Sequence, residues 1–391
     1  MIDNILYEFM EEQIRQTPLS FHRYKYNEID WEGRLTGIVG PRGVGKSTMM
    51  LQFIAEHRNE GHFLYISADH IYFTSHTLTD LIDKFVKDGG THIFIDEVHK
   101  YKGWSQELKQ TYDVHRELKV TFTGSSVLDI NAGGADLSRR VVLEYIQGLS
   151  FREYLELFHN ITVPTFTLDE ILAHKVDIPI IQHPLPYFRE YLREGYYPFA
   201  LEGRFSTRIL QVVNQTTEVD IPQYADMNAA TARKLKQMLA IISGIAPVKP
   251  NADHLAREIG VSKNNIPSYL VYLERAGMLS QLHDDTSGLI ALGKVEKIYI
   301  DNPSLMYALT QGTPDIGNIR ETFFNNQMRV NNLVTSSRES DFKINGYTFE
   351  IGGKKKGKKQ IENVPNGIVV RDDIEYGSGI IIPLWHFGLN Y

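Results

Sequence analysis

The chain contains no cysteine. That excludes disulfides and every thiolate-ligated metal site, and it suits a reducing compartment. No apolar run approaches the roughly 18 residues that a membrane-spanning helix requires. The first stretch, "MIDNILYEFMEEQIRQ", carries acids early and lacks an apolar segment with a small-residue cleavage site, so it does not read as a signal peptide. A large charge of either sign is also missing: Lys+Arg 41 against Asp+Glu 48 leaves a net −7. A mildly acidic whole argues against a general nucleic-acid coat, though not against one local basic patch. There is no internal repeat, and low complexity is confined to "GGKKKGKK". What is present is 391 residues, 42% of them hydrophobic, enough for two or three domains with real cores. The expectation is a soluble, cytoplasmic protein with no membrane partner.

From residue 34 to about 160, short apolar runs alternate with helical patterns. "RLTGIVG", "FLYIS", "THIFIDE", "KVTFTGSS" and "VVLEYI" read as strands. "KSTMMLQFIAEHRNEG" places Met49, Met50, Phe53, Ile54 and His57 on one helical face. "LTDLIDKFVKDGG" and "QELKQTYDVHREL" are further helices. Such alternation predicts an α/β fold, a parallel sheet with helices on both faces. Residues 165 to 245 read mainly helical, with breaks at Pro184, Pro186 and Pro198. From about 294 strands dominate again.

"GPRGVGKSTMM" is the most informative stretch. Gly40, Gly45, Lys46 and Ser47 fit G-x-x-x-x-G-K-[ST], with a strand before and an amphipathic helix after. The segment Gly40, Pro41, Arg42, Gly43, Val44, Gly45, Lys46, Ser47 and Thr48 is the candidate phosphate cradle; its backbone N–H groups (all but that of Pro41, which has none) would curl round phosphate oxygens at the positive end of that helix. Lys46 would sit on the β- and γ-phosphates and the Ser47 hydroxyl on Mg²⁺. About 50 residues on, "HIFIDE" ends an apolar strand in Asp96, a candidate Mg²⁺ ligand, and Glu97, a candidate base for an attacking water. "TFTGSS" ends the fourth strand, and Thr123 or Ser125 there is placed to meet the water or the γ-phosphate; ordinary turn chemistry accounts for them equally well. "DLSRRVVLEY" supplies Arg139 and Arg140. Either is a candidate arginine finger, acting within the chain or on a neighbouring subunit, which would require a homo-oligomer; a solvated helix end is the alternative. No guanine-reading motif is found, which favours ATP.

The order "GPRGVGKST", "IFIDEVHKY", "TGSS", "SRR", "LSFREYL" resembles the AAA-type predicted ATPases of bacteria and archaea, over nearly the whole chain. That resemblance implies a P-loop NTPase sheet with another strand between the P-loop strand and the "IFIDE" strand. It also implies a winged helix, then a restriction-endonuclease-like domain. The expected division is 1–160 for the ATPase, 161–293 for a helical linker and winged helix, and 294–391 for a small α/β nuclease-like domain. The expected function is Mg²⁺-dependent ATP hydrolysis coupled to the later domains. The alternatives are a nucleotide-switched regulator that binds protein or DNA, and an ATP-gated metal nuclease.

"NADHLAREIGVSKNNIPSYLVYLERAGML" reads as two helices about a tight turn. Leu255, Ala256 and Ile259 face inward and Gly260 ends the first helix. Pro267 would break a helix begun at Ser262, so the second helix is placed to start at Asn264 or Asn265, either a good cap. "MLSQLHDDTSGLIALG" would supply a wing. Lys263, Asn264, Asn265, Ser268 and Arg275 are the candidate DNA contacts, a thin basic supply; a protein-interaction module is the alternative.

In "DFKINGYTFEIGGKKKGKK", Asn345-Gly346 signals a two-residue hairpin turn. The register then pairs Ile344 with Tyr347, Lys343 with Thr348 and Phe342 with Phe349, and it sets Asp341 opposite Glu350. Two carboxylates about 5 Å apart repel, and a divalent metal or Lys343 would neutralise them. Restriction-type nucleases carry such a pair with a lysine two residues after the Glu. Here that position is Gly352, so Lys354 or Lys355 would have to fold back, with Glu321 a candidate third acid. The lysines at 354, 355, 356, 358 and 359 are candidate nucleic-acid backbone contacts or a solvated loop.

Overall fold

The computed structural model describes residues 4–125, 137, 139–285, 294–310 and 312–391. They form two compact units, Met1–Gln147 and Gly148–Tyr391.

The first unit contains α1 (Asn4–Gln16), β1 (Leu35–Gly40), α2 (Lys46–His57), β2 (Phe63–Ser67), α3 (Leu78–Lys87), β3 (His92–Asp96), α4 (Trp104–Val114), β4 (Lys119–Ser125) and β5 (Val142–Tyr145). The strands make one parallel sheet in the order β2-β3-β4-β1-β5. The expected extra strand is β4, which separates β1 from β3. β1 and β3 are buried along their whole length, as both-sided coverage of a parallel sheet requires, and so they read as unbroken apolar runs. On α3, Leu78, Leu81, Ile82 and Phe85 are buried at helical spacing, and the Thr77 side chain caps the helix by accepting the Asp80 N–H. On α2, Leu51 and Gln52 are buried beside the expected Met49, Met50, Phe53 and Ile54. That helix is therefore enclosed rather than one-sided. Because the strands are parallel, Gly40, Asp96 and Ser125 all finish at one edge of the sheet, where ligands of open α/β sheets bind.

The second unit opens with α5 (Phe151–His159), so "LSFREYL" lies here. Ser150 and Glu153 form a reciprocal capping box at its start, and Phe151, Tyr154 and Leu155 are buried. Ser150 Oγ also donates to the Tyr391 carbonyl over 2.7 Å. The motif serves a helix start and a core. Then follow α6 (Leu168–Leu172), α7 (Pro184–Glu190), α8 (Phe205–Gln215), α9 (Ile221–Tyr224) and α10 (Ala229–Ile245). Pro184 and Pro186, expected as breaks, instead open α7, because a proline in the first turn gives up no helical hydrogen bond. Pro198 likewise opens a 3₁₀ turn.

α11 (Ala252–Ile259) ends at Gly260 with φ 64, and α12 (Ile266–Arg275) follows. Neither Asn264 nor Asn265 caps α12 through its side chain. A 3₁₀ turn over Lys263–Asn265 intervenes, and Ser262 caps that by accepting the Asn264 N–H. Pro267 thereby falls harmlessly in the first turn of α12. β6 (Leu279–His283) and β7 (Val295–Ile300) pair antiparallel; residues 286–293 of the expected wing lie outside the described residues.

Two helices, α13 (Pro303–Leu309) and α14 (Ile316–Met328), interrupt the strands expected after 294. A mixed sheet then forms from β8 (Thr335–Ser336), β9 (Phe342–Ile344), β10 (Tyr347–Gly352), β11 (Gly367–Arg371) and β12 (Ile381–Pro383), in the order β12-β11-β10-β9-β8. Asn345 and Gly346 both take positive φ, 50 and 84, as a type I′ turn requires. The three expected pairs, Ile344–Tyr347, Lys343–Thr348 and Phe342–Phe349, are all present. Phe324 of α14 packs its ring on Phe342, Phe349 and Phe387. Among the described residues no helix is long and apolar enough to cross a membrane.

Candidate nucleotide-binding site

The P-loop leaves β1 at Gly40. A β-carbon there would collide with the Ile146 carbonyl oxygen, so only glycine lets the chain turn away so close to β5's continuation. Gly43 and Gly45 take φ 82 and 97, the left-handed region that L residues avoid. Gly45 is the residue before α2, and the turn it makes aims the first N–H groups of the helix into the loop. Lys46 is buried and its Nζ donates to the Gly40 and Pro41 carbonyls at 2.9 and 2.8 Å. Arg23, also buried, braces the loop from behind: it donates to the Val44 carbonyl and, over 2.8 Å, to that of Gln147.

Asp96 is the hub of the site. Ser47 Oγ donates to its Oδ1 over 2.9 Å. Thr123 Oγ1 donates to the same oxygen and accepts the Glu97 N–H at 2.9 Å. The Glu97 N–H also reaches Asp96 Oδ1 at 3.1 Å. On the other side, Tyr65 donates to Asp96 Oδ2 over 2.8 Å. Burial and the charge of Asp96 hold the Tyr65 phenol far above its ordinary range, so it stays a donor. β1, β2, β3 and β4 thus each end in, or flank, one hydrogen-bonded cluster.

Glu97 takes φ 50, an uncommon conformation for a non-glycine residue and one that marks functional positions. It turns the chain sharply out of β3 while its N–H stays anchored on Thr123. Its carboxylate is paired with Arg42 Nη2 at 3.0 Å, and His99 Nε2 stands 3.5 Å from the same oxygen.

The sheet does not bring every candidate to this edge. The register Thr36–Val142 puts Arg139 and Arg140 just ahead of β5, at the opposite end from Gly40. Arg140 is engaged there by Asp113 at 2.9 and 3.2 Å. Ser125 pairs with Gly40 in the ladder. Tyr65 and Arg23 were not foreseen. An isolated tyrosine in "FLYIS" and an arginine ahead of the first strand carry no motif, and only the folded sheet brings them to the loop.

A second acidic cluster lies in the Gly148–Tyr391 unit. The β9–β10 ladder stops at Phe342–Phe349, so Asp341 is not simply opposite Glu350. Its Oδ2 accepts the Ile351 N–H at 2.9 Å. Burial, then the charge of Glu321, pushes the Asp341 carboxyl up to about 6. Glu321 accepts from Tyr299 at 2.9 Å and from Lys297 at 3.1 Å, and Lys297 stands 3.6 Å from Asp341. Glu350 is buried, bonded to Ser340 and ion-paired with Lys356. The returning lysine is therefore Lys356, not Lys354 or Lys355, because Lys356 N bonds the Gly353 carbonyl at 2.8 Å in a tight turn. Lys343 does not serve Glu350; it pairs with Asp285 at 2.6 Å. Among the described residues no three His, Asp or Glu side chains are gathered as a metal site.

Residues 32–155 match the family model of an AAA domain. That match covers β1 to the middle of α5 and contains the whole Lys46–Asp96–Glu97 cluster, so this stretch is similar to an AAA domain. Residues 185–315 match a domain of unknown function. An uncharacterised protein of Methanocaldococcus jannaschii is 24% identical over 318 residues, 71% of this chain, and the chain spans 66% of that protein's length. Two solved structures are also similar. AMPPCP-bound DnaA from Aquifex aeolicus shares 16% identity over 70% of this chain and 89% of its own, with a TM-score of 0.25. PCH-2 from C. elegans shares 15% over 70% of this chain and 68% of its own, with a TM-score of 0.26. At the level of whole chains both likenesses are weak.

Proposed function

We propose that the chain binds ATP with Mg²⁺, hydrolyses it, and passes the nucleotide state to its second unit. The observation that carries this reading is the 2.9 Å bond between Ser47 and Asp96, which joins the P-loop to the strand end that bears Glu97. Hard oxygen donors in that arrangement fit Mg²⁺, with Ser47 and Asp96 as the residues that would hold it. The ion's contribution would be to neutralise phosphate charge. Lys46 would leave its two backbone carbonyls for the β- and γ-phosphates. Glu97 would orient the attacking water and take its proton, with the Thr123 hydroxyl beside it; Ser125, whose side chain lies outside what is described, is the other candidate hydroxyl. Arg139 or Arg140, remote from the loop of their own chain, would act as a finger only on a neighbouring copy. The test is Mg²⁺-ATP turnover by the purified protein, with and without duplex DNA, beside Glu97→Gln. Binding without turnover would instead support a nucleotide-switched regulator.

Under this proposal the second unit holds two parts. Helices α10 to α12 with the β6–β7 pair form a winged helix, and the C-terminal mixed sheet forms a nuclease-like scaffold; the second unit begins at Gly148 rather than near 160, and β7 (Val295–Ile300) carries the winged helix past 293. Asn264, Asn265, Ser268 and Arg275 are exposed, but Lys263 is paired with Asp253 at 2.8 Å. So thin a cationic face supports a protein partner at least as well as DNA. The exposed lysines 354, 355, 358 and 359 are the better candidates for a nucleic-acid backbone. Asp341 and Glu350 do not fit a divalent metal as they stand, since Lys356 already holds Glu350 and one Asp341 oxygen is taken by the Ile351 N–H, with the Lys297 ammonium 3.6 Å from the other. The reading favoured for this cluster is a scaffold that binds without cutting. Nicking of DNA with Mg²⁺ or Mn²⁺, lost in Asp341→Ala, would reverse that preference in favour of an ATP-gated nuclease.

A further inference from the structure

Arg42 is the third residue of the P-loop. Holding a phosphate there falls to backbone N–H groups, Lys46 and Ser47, and the motif leaves position 42 open to any residue. The structure nevertheless sets its guanidinium 3.0 Å from Glu97 Oε2, with the two side chains 28% and 23% exposed. A partly buried pair of this kind is screened less than one in open solvent. A carboxylate whose charge is already shared with a guanidinium is a weaker proton acceptor for water. The Glu97 backbone cannot adjust, because its N–H is fixed on Thr123 and Asp96. The partner in a position to follow the ligand is Arg42, whose long side chain stands on the loop itself, next to Gly43.

We propose that Arg42 reads the γ-phosphate. It exchanges Glu97 for the terminal phosphate of a nucleoside triphosphate, and so frees the carboxylate only when a triphosphate, not a diphosphate, fills the loop. This inference rests on the ATP reading above. A terminal phosphate carries nearly two negative charges and three acceptor oxygens, against one charge and two oxygens on Glu97, and an arginine fork suits either. The exchange therefore favours the triphosphate, while a diphosphate offers nothing at that position and leaves the ion pair closed. His99, 3.5 Å from the same carboxylate, remains to orient it after Arg42 departs.

Calorimetric titration of the full chain with MgADP and with a non-hydrolysable MgATP analogue tests this. Arg42→Ala is expected to lose about tenfold in affinity for the analogue while holding ADP within about twofold, the loss of one charged hydrogen-bonding partner. Retained ADP binding also shows that the variant folds. Arg42→Lys, which keeps the charge and loses the fork, is expected to lose less than Arg42→Ala. Glu97→Gln removes the competitor and is expected to tighten the analogue several-fold, a gain that vanishes in the Arg42→Ala background. Equal weakening of ADP and analogue in Arg42→Ala, or an undiminished Glu97→Gln gain in the double variant, would overturn the proposal. Wild-type protein that bound neither nucleotide would overturn the ATP reading, and this inference with it.

Discussion

Tyr65 donates its hydroxyl hydrogen to Asp96 Oδ2 over 2.8 Å, from the strand beside the one that Asp96 ends. With Ser47 and Thr123 on Oδ1, this leaves the carboxylate no freedom to rotate. Tyr65→Phe keeps the ring and deletes only the bond. Removing a buried hydrogen bond to a charged acceptor is expected to cost about 1.5 kcal/mol in urea unfolding. Loss of the group that orients a ligand is expected to raise the Mg²⁺ concentration needed for half-maximal ATP turnover by about tenfold. Stability lost with an unchanged Mg²⁺ dependence would make Tyr65 a packing residue only.

Lys46 and Glu97 separate binding from chemistry. Lys46 is the buried cation of the loop, and Lys46→Ala is expected to abolish measurable nucleotide binding. Glu97→Gln preserves shape and is expected to retain binding while turnover falls at least about a hundredfold, the usual contribution of a positioned base. Normal turnover in Glu97→Gln would end the assignment of Glu97 as the base.

The loop and the strand acids were legible because their chemistry fixes their spacing: glycines where φ must be positive, a lysine and a hydroxyl at the helix start, two acids at a strand end. The sheet was legible because parallel strands buried on both faces read as unbroken apolar runs. Tyr65 and Arg23 were not, since each reaches the site across neighbouring strands and nothing local distinguishes it. Asn265 looked like a helix cap, but Pro267 forced a 3₁₀ turn ahead of the helix and passed the capping to Ser262. At the C-terminal hairpin the pairs nearest the turn followed from Asn345-Gly346. The fate of Glu350 did not, because it depends on how residues 353–356 fold back, and that put Lys356 where Lys354 or Lys355 was expected.

Gly40 tests whether the closeness of β1 and Ile146 matters. A β-carbon there meets a backbone carbonyl, which cannot rotate away as a side chain would. Gly40→Ala is expected to destabilise the first unit by about 1–3 kcal/mol and to weaken nucleotide binding with it. Gly244, an exposed position in α10, has nothing within 4 Å of its added β-carbon. Gly244→Ala is expected to stabilise by about 0.5–1 kcal/mol. Chemical unfolding of both variants checks the contrast.

Asp341 makes the second unit sensitive to pH. Its carboxyl is raised to about 6, by burial first and the charge of Glu321 second. The protonated form is therefore favoured by folding. The stability this group contributes is complete below about pH 4, its unfolded value, and is lost as pH rises through about 6. Asp341→Asn keeps an acceptor for the Ile351 N–H and removes the charge. At pH 7.5 it is expected to be more stable than wild type, by up to about 2–3 kcal/mol if the shift acts in full. The difference should shrink toward zero by pH 4. Urea unfolding of both proteins from pH 4 to pH 8 measures it. A difference that stayed flat across that range would mean that Asp341 does not titrate in this window, and that Lys297 neutralises it more completely than its burial suggests.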